Sequence, residues 1–479
     1  MFLKKLIRFI LWLFIIITFI LFVGFFALTS SFDGDSILSI ETAEQTEQFL
    51  AHAAAVFNST LIEEGFIDIG WSSASITPPT GKPLYGYSSR LRRGAREIKD
   101  SVYVRALAIR VGNNVPLIFL TADICLWTRE ISDRIASNVS GTLPRQRIYF
   151  GATHTHSGPG GYAIGAIDAL IMGGRDESLI DRLVDQSCRA ILEAIANLQP
   201  GSYREHSIPA PEFIYNRERL SDSIDNELSL VEFKTFNEQR CALVFYGAHP
   251  TVLNGQLVCS GDYPGALSRA LKTQGYDEAL FLAGDVAQAG PAIGGIKVSS
   301  DSVEVAWRFG EEIAKKLITF TDSCAIPFTN RTTLAIFLSP IKLPPFHYRI
   351  AGRLLRPMVI KSCLFEPPEP RAFVHAVKLG ETVYMGHSFE FSSVIGRELK
   401  QHARRKDGHL IITSFNGCHN FYMVPDRDFN LSTYETRTSL FGPYLGSHLE
   451  RISEQVFDLM HTPSEFRGFH LAAANSDSR

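Results

Sequence analysis

The longest apolar stretch of the chain lies near its N-terminus, where residues 9–28 contain no charged side chain. As a helix, a stretch of this length spans about 30 Å, which is the thickness of a bilayer core. Lys4, Lys5 and Arg8 precede the stretch. The positive-inside rule therefore predicts a single-pass transmembrane helix with a cytoplasmic N-terminus, so that the chain after about residue 30 is extracytoplasmic.

A cleaved signal peptide is the alternative for this stretch. The apolar region of a cleaved signal usually has only about 7–15 residues, and a small-residue A-x-A site follows it. Residues 9–28 are longer, and no clean A-x-A site follows them. A retained membrane anchor is therefore favoured.

Beyond the anchor, apolar positions recur with two periods. Spacing of three and four residues predicts amphipathic helices, at residues 41–57, 127–139, 178–198, 265–272, 301–318, 392–404 and 445–459. Runs of β-branched and aromatic residues between turn signals predict strands, at residues 66–71, 102–111, 116–120, 147–150, 228–233, 241–246, 279–283, 373–379, 382–385 and 410–414. This alternation predicts an α/β domain with a mixed β-sheet core, flanking helices, and functional side chains at the C-terminal ends of strands. The β-rich block 325–380 is interpreted as a second sheet rather than a separate domain.

Composition adds limits to this picture. The chain has 479 residues, of which 45% are hydrophobic and 20% charged, and its formal net charge is −3. Such a chain can bury a large core, and without a basic excess it is not expected to bind nucleic acid. The segments that we predict are a cytoplasmic stub with a transmembrane anchor (1–30), a helical linker (31–65), a main domain (66–465) and a C-terminal tail (466–479).

The seven cysteines are scattered and form no CxxC pair. This pattern argues against a zinc site built from thiolates and against a dense disulfide scaffold. Their number is odd, so at least one thiol is free or pairs outside the chain. One or two disulfides are compatible with an exported domain.

Two histidines mark the most distinctive stretch, GATHTHSGPGGY at residues 151–162. A predicted strand runs into it, and its glycines and proline predict a tight loop. Alternate residues of a strand point to the same face, roughly 6.5–7 Å apart, so His154 and His156 are expected to enter one space. One of them can then bind a metal beside the other as an acid or hydrogen-bond donor; a hydrogen-bonded pair of loop histidines is the alternative. Asp123, at another strand end, either belongs to such a site, as a partner of its ligands or an additional ligand, or is a structural residue.

The string THTHSGPGGY closely resembles the signature of the neutral/alkaline (non-lysosomal) ceramidase family, zinc amidases that split the acyl amide of ceramide. The resemblance covers about residues 67–460. It implies four Zn²⁺ ligands at the C-terminal ends of strands, which are His154, His249, Glu390 and Tyr422. It also implies three catalytic or substrate-contacting residues, which are His156, Arg217 and Tyr434.

The later assignments rest on matching sequence contexts. The sequence AHP surrounds His249, and FEFSSVIGR surrounds Glu390, although its first phenylalanine replaces the family's glycine. Arg217 follows an asparagine, as the corresponding family arginine does. The two tyrosines stand twelve residues apart, which is the family spacing. The implied site residues therefore occur in family order.

Two departures from the family pattern change the expectation. Where the family has a serine, this chain has Ala287, in the sequence GDVAQ at residues 284–288. The chain also ends soon after the main domain, without the C-terminal β-sandwich of longer ceramidases, so it resembles a short bacterial-type relative. We therefore expect hydrolysis by zinc-activated water with no acyl-enzyme.

The resemblance thus implies a membrane-anchored, zinc-dependent hydrolase that cleaves the N-acyl amide bond of ceramide or a related acyl lipid. Two alternatives stay open. One is a zinc amidase or esterase for a non-sphingoid N-acyl substrate. The other is a zinc-containing lipid-binding protein without turnover, which Ala287 favours and the intact His156, Arg217 and Tyr434 disfavour.

The predicted topology can be tested with protease added to intact spheroplasts or cells. We expect the main domain to be digested and a short N-terminal fragment to stay protected by the membrane, because the anchor leaves the domain outside. Permeabilised cells, in which both sides are accessible, are the control. A main domain that is degraded only after permeabilisation would reverse the topology.

Overall fold

The computed structural model of the protein describes residues 2–31, 35–58, 62–90, 93–162, 173–344, 358–360, 372–431 and 433–461. These ranges include most of the predicted main domain. The predicted C-terminal tail, residues 466–479, lies outside the described residues.

A large mixed sheet organises the main domain. The described strands are β1 (Thr29–Ser31), β2 (Glu63–Ser75), β3 (Glu97–Ile98), β4 (Tyr103–Val111), β5 (Leu117–Ala122), β6 (Ile148–Ala152), β7 (Gln199–Pro209), β8 (Ile214–Asn216), β9 (Glu227–Thr235), β10 (Arg240–Tyr246), β11 (Val258–Cys259), β12 (Glu278–Ala283), β13 (Ala289–Ile293), β14 (Ile296–Lys297), β15 (Arg331–Ile341), β16 (Met358–Ile360), β17 (Ala372–Leu379), β18 (Thr382–His387) and β19 (His409–Thr413). Twelve of them form the large sheet, in the order β12-β10-β9-β7-β2-β15-β17-β18-β19, with β4, β5 and β6 branching from β2. Its parallel pairs are β5–β6, β10–β12 and β18–β19.

The long strand β2 joins two halves of this sheet. Its residues 67–75 pair with β4 and residues 68–69 with β7, both in the first half. Its residues 63–66 pair with β15, which begins the second half of β15, β17, β18 and β19. Both halves therefore depend on one strand.

Helices cover the outer faces of the two halves. The described helices are α1 (Phe2–Leu28), α2 (Asp35–Asn58), α3 (Arg129–Asn138), α4 (Glu177–Ala196), α5 (Asp262–Thr273), α6 (Val303–Ser323), α7 (Ser393–Arg405), α8 (Tyr434–Arg437) and α9 (Leu445–His461). Helices α3 to α6 pack on the first half, and α2, α7 and α9 pack on the second. The helices that were predicted from the 3.6-residue period are confirmed, with ends that differ by a few residues.

The inner faces of the two halves pack against each other. Alternation along β4 places Ala106 toward the helices and Leu107 toward a separate core cluster that contains only strand residues from both halves. In this cluster the ring of Tyr384, in the second half, lies 5.5 Å from the rings of Phe119 and Phe245 in the first. The sheet therefore folds over, and the domain has four layers in the order helix, sheet, sheet, helix.

The prediction of a separate second sheet in residues 325–380 is wrong for β15 and β17. These strands pair with each other, and β15 pairs with β2, so both belong to the large sheet. A local sequence pattern predicts that a segment is a strand. It does not predict which other strand pairs with it, because that choice depends on packing between residues far apart in the chain.

The helix predicted within the linker is confirmed as part of α2. Its side chains Phe49, Ala53 and Phe57 are buried against the second half of the sheet. Thr46 Oγ1 lies 2.7 Å from Nδ1 of His448 on α9. Helix α2 therefore packs on the main domain, while the boundaries of the linker stay predictions.

The N-terminal helix α1 contains a candidate membrane span. Lys5–Phe25 has 21 residues, is strongly apolar, and has no buried residue. It is long and apolar enough to cross a membrane. Its retention as an anchor and its orientation stay predictions.

Six cysteines in the part of the chain that the structure describes carry free thiols, and they are Cys125, Cys188, Cys241, Cys259, Cys324 and Cys418. The disulfides that an exported domain allows are therefore not found among these residues. The scattered spacing of the cysteines agrees with this result.

Asp123 is a structural residue, which is one of the two readings left open for it. Its carboxylate accepts hydrogen bonds from Arg105 Nη1 at 3.1 and 3.0 Å and from the backbone N–H of Tyr103 at 2.8 Å. Asp123 and Arg105 are 0% and 5% exposed. This buried ion pair ties the end of β5 to β4.

We expect Asp123→Ala to lower the free energy of unfolding by about 3–5 kcal/mol, because it leaves the Arg105 guanidinium buried without its main partner. The exposed pair of Arg134 and Asp181, at 2.6 Å, supplies the control: Asp181→Ala should cost less than about 1 kcal/mol. Chemical denaturation of both variants measures the difference. Equal losses would contradict a structural role for the buried pair.

Candidate active site

Three candidate metal ligands follow the C-terminal ends of strands. His154 comes after β6, His249 after β10 and Glu390 after β18. Each of these strands has a parallel neighbour, so strand ends of the same polarity meet at one edge of the layers. Loops at such an edge are where α/β proteins place their ligands.

The side chains of these three residues converge. Nε2 of His154 lies 2.8 Å from Nε2 of His249. Oε2 of Glu390 lies 3.7 Å and 3.9 Å from the same two nitrogens. All three are buried. Two imidazoles and a carboxylate at this separation are a donor set that suits a divalent metal.

The hydrogen bonds around the two imidazoles decide which nitrogen is free. Nδ1 of His154 lies 2.6 Å from the carbonyl oxygen of Cys125, and Nδ1 of His249 lies 3.4 Å from that of Val286. A carbonyl can only accept, so each Nδ1 carries the proton and each Nε2 presents a lone pair. Two lone pairs then face each other across 2.8 Å.

The repulsion between these two lone pairs is not removed by protonation at neutral pH, because both imidazoles have lowered pKa values. Burial lowers the pKa of His154 to about 3. Burial, and then the charge of Arg217, hold the pKa of His249 well below its usual value. Oε2 of Glu390 has no hydrogen-bond partner among the described residues. A cation between these three atoms satisfies all of them, so the residues fit the metal that the resemblance implies.

The two histidines of the HTH motif enter one space, but not as neighbours on a strand. Strand β6 ends at Ala152, and His154 has φ 61°, in the left-handed region. Their Nε2 atoms approach to 3.3 Å. The expectation of strand geometry was wrong, and a strained loop brings the rings together.

His156 is held from behind by the loop after β2. Its Nδ1 lies 3.2 Å from the carbonyl oxygen of Gly86, and its ring meets the ring of Tyr87 edge-on at 5.1 Å. Arg90 Nη1 donates to its backbone carbonyl at 2.6 Å. Burial, and then Arg90, lower the pKa of His156 to about 3. The imidazole is therefore neutral, with Nε2 directed toward His154.

Tyr422 and Arg217 complete the far side of the site. The backbone of Tyr422 forms a parallel bridge with Glu390. Arg217 Nη2 lies 3.3 Å from the hydroxyl of Tyr422, and Arg217 Nε donates to Glu435 Oε1 at 2.7 Å. Tyr434 is 67% exposed, and its ring centroid lies 5.7 Å from that of Tyr422. Tyr434 thus stands at the rim, and Arg217 is fixed from both ends.

All seven residues that the resemblance implies line one cavity of about 640 Å³. They are His154, His156, Arg217, His249, Glu390, Tyr422 and Tyr434. Apolar and aromatic side chains form much of the remaining wall, and they include Tyr85, Tyr87, Leu126, Tyr215, Val298 and Phe421. A concave space of this size, with apolar walls and a few converging polar groups, has the form of a small-molecule site. The role of each residue stays a prediction.

Three residues beside the site were missed in the sequence. His419 and Cys125 line the cavity, and Glu435 is buried behind Arg217. Glu435 follows Tyr434 directly, so the neighbouring motif was the available signal. His419 stands alone in a glycine-bearing loop, and Cys125 follows a strand without a partner residue. Neither has a spacing that marks it.

Ala287, at the position of the family serine, does not line the cavity. It is fully buried and packs in a small cluster with Tyr422 and Val424. Its backbone N–H donates to the carbonyl of Phe391 at 3.0 Å. The methyl group of Ala287 therefore supports the ring of Tyr422.

The fold and site are those of a mixed α/β protein with a histidine–carboxylate centre, and comparison with known proteins gives the family. Residues 67–284 match the family model of neutral/alkaline non-lysosomal ceramidase, N-terminal. The chain is 23% identical over 465 residues to neutral ceramidase of Pseudomonas aeruginosa, which covers 78% of this chain and 69% of that protein. It is also 23% identical over 231 residues to neutral ceramidase 1 of Arabidopsis thaliana, which covers 43% of this chain and 29% of the plant protein.

A solved structure supports the same fold. The crystal structure of neutral ceramidase from Pseudomonas aeruginosa superposes with a TM-score of 0.71 at 18% identity, and covers 84% of this chain and 75% of that one. The match to the family model at residues 67–284 and the similarity to curated ceramidases support the neutral/alkaline ceramidase family, and the likeness to the solved structure shows the fold. The family prediction from the THTHSGPGGY string is confirmed.

The contact between Gly86 and His156 can be tested through stability. Gly86 has φ +108°, and a Cβ there would lie 2.7 Å from two ring atoms of His156 and 2.8 Å from its Cβ. We expect Gly86→Ala to cost about 1–3 kcal/mol for the overpacked contact, on top of about 1–2 kcal/mol for the backbone.

Gly81 provides the matched control for this variant. It has φ +84°, and a Cβ there would meet nothing within 4 Å. Gly81→Ala should therefore show the backbone cost alone, and adding His156→Ala to Gly86→Ala should remove the part of the contact cost that the imidazole ring causes. Denaturant unfolding measures all three variants. Equal losses for Gly86→Ala and Gly81→Ala would contradict the contact.

Proposed function

We propose that the protein is a zinc-dependent hydrolase that cleaves the N-acyl amide bond of ceramide or a related acyl lipid, on the extracytoplasmic side of a membrane. Family membership supports this substrate class. The convergence of His154, His249 and Glu390 in an apolar-walled cavity carries the proposal. The candidate span in α1 supports the membrane location.

His154, His249 and Glu390 would hold the metal, with Tyr422 as the fourth ligand. Zinc in such a set polarises a carbonyl and lowers the pKa of water to about 7. The chain's part is to keep the two Nε2 atoms unprotonated, which burial and the backbone carbonyls behind Nδ1 achieve. Tyr422 is buried beside Glu390, so its hydroxyl stays within the site.

The other polar groups position the amide and move protons. Hydrolysis removes one proton from water and delivers one to the leaving amine. Nε2 of His156 presents a lone pair inside the cavity, and it can accept the proton of the attacking water in a hydrogen bond as the attack proceeds. The hydroxyl of Tyr434, at the rim, can donate to the leaving nitrogen. Arg217, held by Glu435, places a fixed positive charge beside Tyr422.

The water attacks directly, and no acyl-enzyme forms. A covalent route needs a hydroxyl or thiol close to the carbonyl. Ala287 has neither and does not line the cavity. Burial raises the pKa of Cys125, the cavity-lining thiol, well above its usual value, so it stays protonated. Ala287→Ser should therefore change the rate only modestly, through its packing on Tyr422.

Hydrolysis by the purified full-length protein in detergent tests the substrate class. We expect release of fatty acid and free amine from ceramide or a related N-acyl lipid, and a loss of about 10²–10⁴-fold in His156→Leu or Tyr434→Phe if they transfer protons. The matched control is Tyr444→Phe, because Tyr444 is not among the described residues that line the cavity. Intact-mass spectrometry during turnover should show no acyl adduct on the wild type.

The outcomes of this experiment separate the candidate functions. Turnover of N-acyl amino compounds or O-acyl esters alone would replace the sphingoid substrate by another. Binding of lipid without turnover, with zinc present, would favour the lipid-binding protein. A stable acyl adduct would overturn the direct attack of water.

Metal analysis tests the zinc site. The wild-type protein should contain about one zinc per chain, and His154→Ala or His249→Ala should abolish it, because each removes a protein ligand of the tetrahedral set. His375→Ala is the control: His375 is buried and bonds the carbonyl of Gln146 at 3.0 Å, outside the cavity. Full zinc occupancy in both ligand variants would exclude the site as drawn.

A further inference from the structure

His419 faces the oxygen of Glu390 that points away from the two metal-site histidines. Its Nε2 lies 3.3 Å from Oε1 of Glu390. The other oxygen, Oε2, is the one directed at His154 and His249. The carboxylate therefore has one side toward the metal position and one side toward His419.

The loop after β19 holds the His419 ring in this place. Phe415 and Phe421 flank it, with ring centroids at 5.8 Å and 5.2 Å, and both have φ 61°. Phe415 also stacks on His154 at 4.2 Å. Two residues in the left-handed region cost free energy, so the surrounding packing must fix this loop. This loop therefore holds His419 in a fixed position beside Glu390.

Two buried polar atoms at this contact lack a partner of ordinary geometry among the described residues. They are Nε2 of His419 and Oε2 of Glu390. Burying an unpaired polar group costs about 1–3 kcal/mol. A metal held by Glu390 and the two histidines would account for Oε2. It does not account for Nε2, whose near neighbour is Oε1.

We propose that His419 is a positioning residue, which donates its Nε2–H to Oε1 of Glu390 and so presents Oε2 alone to the metal. The inference rests on the proposed zinc site and adds a residue to it. A carboxylate with both oxygens free can bind a metal through one or both. A hydrogen bond to one oxygen selects the other and orients it, as partners behind metal ligands commonly do.

Two amide variants that differ by one methylene test this role. In His419→Gln the amide nitrogen reaches the place of Nε2, whereas in His419→Asn it reaches only that of Nδ1. Zinc affinity of the full-length protein, measured by competition with a chelator, should fall about 10–100-fold in His419→Asn. In His419→Gln it should stay within about threefold, since the donor is restored. His375→Asn controls for the loss of a buried imidazole elsewhere and should keep wild-type affinity.

Cobalt substitution supplies a readout that does not depend on affinity. The visible absorption of bound Co²⁺ weakens as its coordination number rises. Asn at position 419 should therefore weaken the bands, because Glu390 can then bind through both oxygens, and Gln should restore them. A wild-type spectrum and affinity in His419→Asn would overturn the role. Equal losses in the Gln and Asn variants would also overturn it, since they would indicate direct ligation or packing.

The result also separates this inference from the proposed function. Zinc bound by the wild type and equally by His419→Asn removes the role of His419 and leaves the zinc site intact. A wild-type protein that binds no zinc overturns both.

Discussion

The site depends on an electrostatic conflict between two buried imidazoles. The Nε2 atoms of His154 and His249 face each other at 2.8 Å, and the carbonyls behind each Nδ1 keep the protons on the far side. Burial removes the water that would screen the two lone pairs and also opposes protonation. Only a cation satisfies both nitrogens and the adjacent oxygen of Glu390. The surrounding packing and hydrogen bonds hold the two imidazoles and the carboxylate together against this repulsion.

The folded-over sheet is what makes such an arrangement rigid. The two histidines come from the first half and the carboxylate from the second, so the site is shared between the two sheet layers. The rings that pack between the layers, such as Tyr384 against Phe119 and Phe245, fix the distance between the halves. A site built from loops gains its precision from the strands beneath it.

Much of the secondary structure and most of the site could be predicted from the sequence, because these signals are local or carried by a motif. The strand pair β4–β5 and the helices α4 and α9 follow from period and turn residues. The pairing of β15 with β2 could not be predicted, since no window contains both strands. His419 could not be predicted either, because a histidine in a loop has no pattern of its own. Its position follows from the left-handed backbone at Phe415 and Phe421, which the sequence does not mark.

The shared strand β2 has a consequence for how the protein can be divided. The family match at residues 67–284 contains both histidines but ends before Glu390. The half that supplies the carboxylate pairs with β2 through residues 63–66. Neither half therefore has a complete sheet without the other, and they form one cooperative folding unit. A metal held between His154, His249 and Glu390 would crosslink distant parts of the chain, so its gain or loss would change the free energy of unfolding of the whole domain.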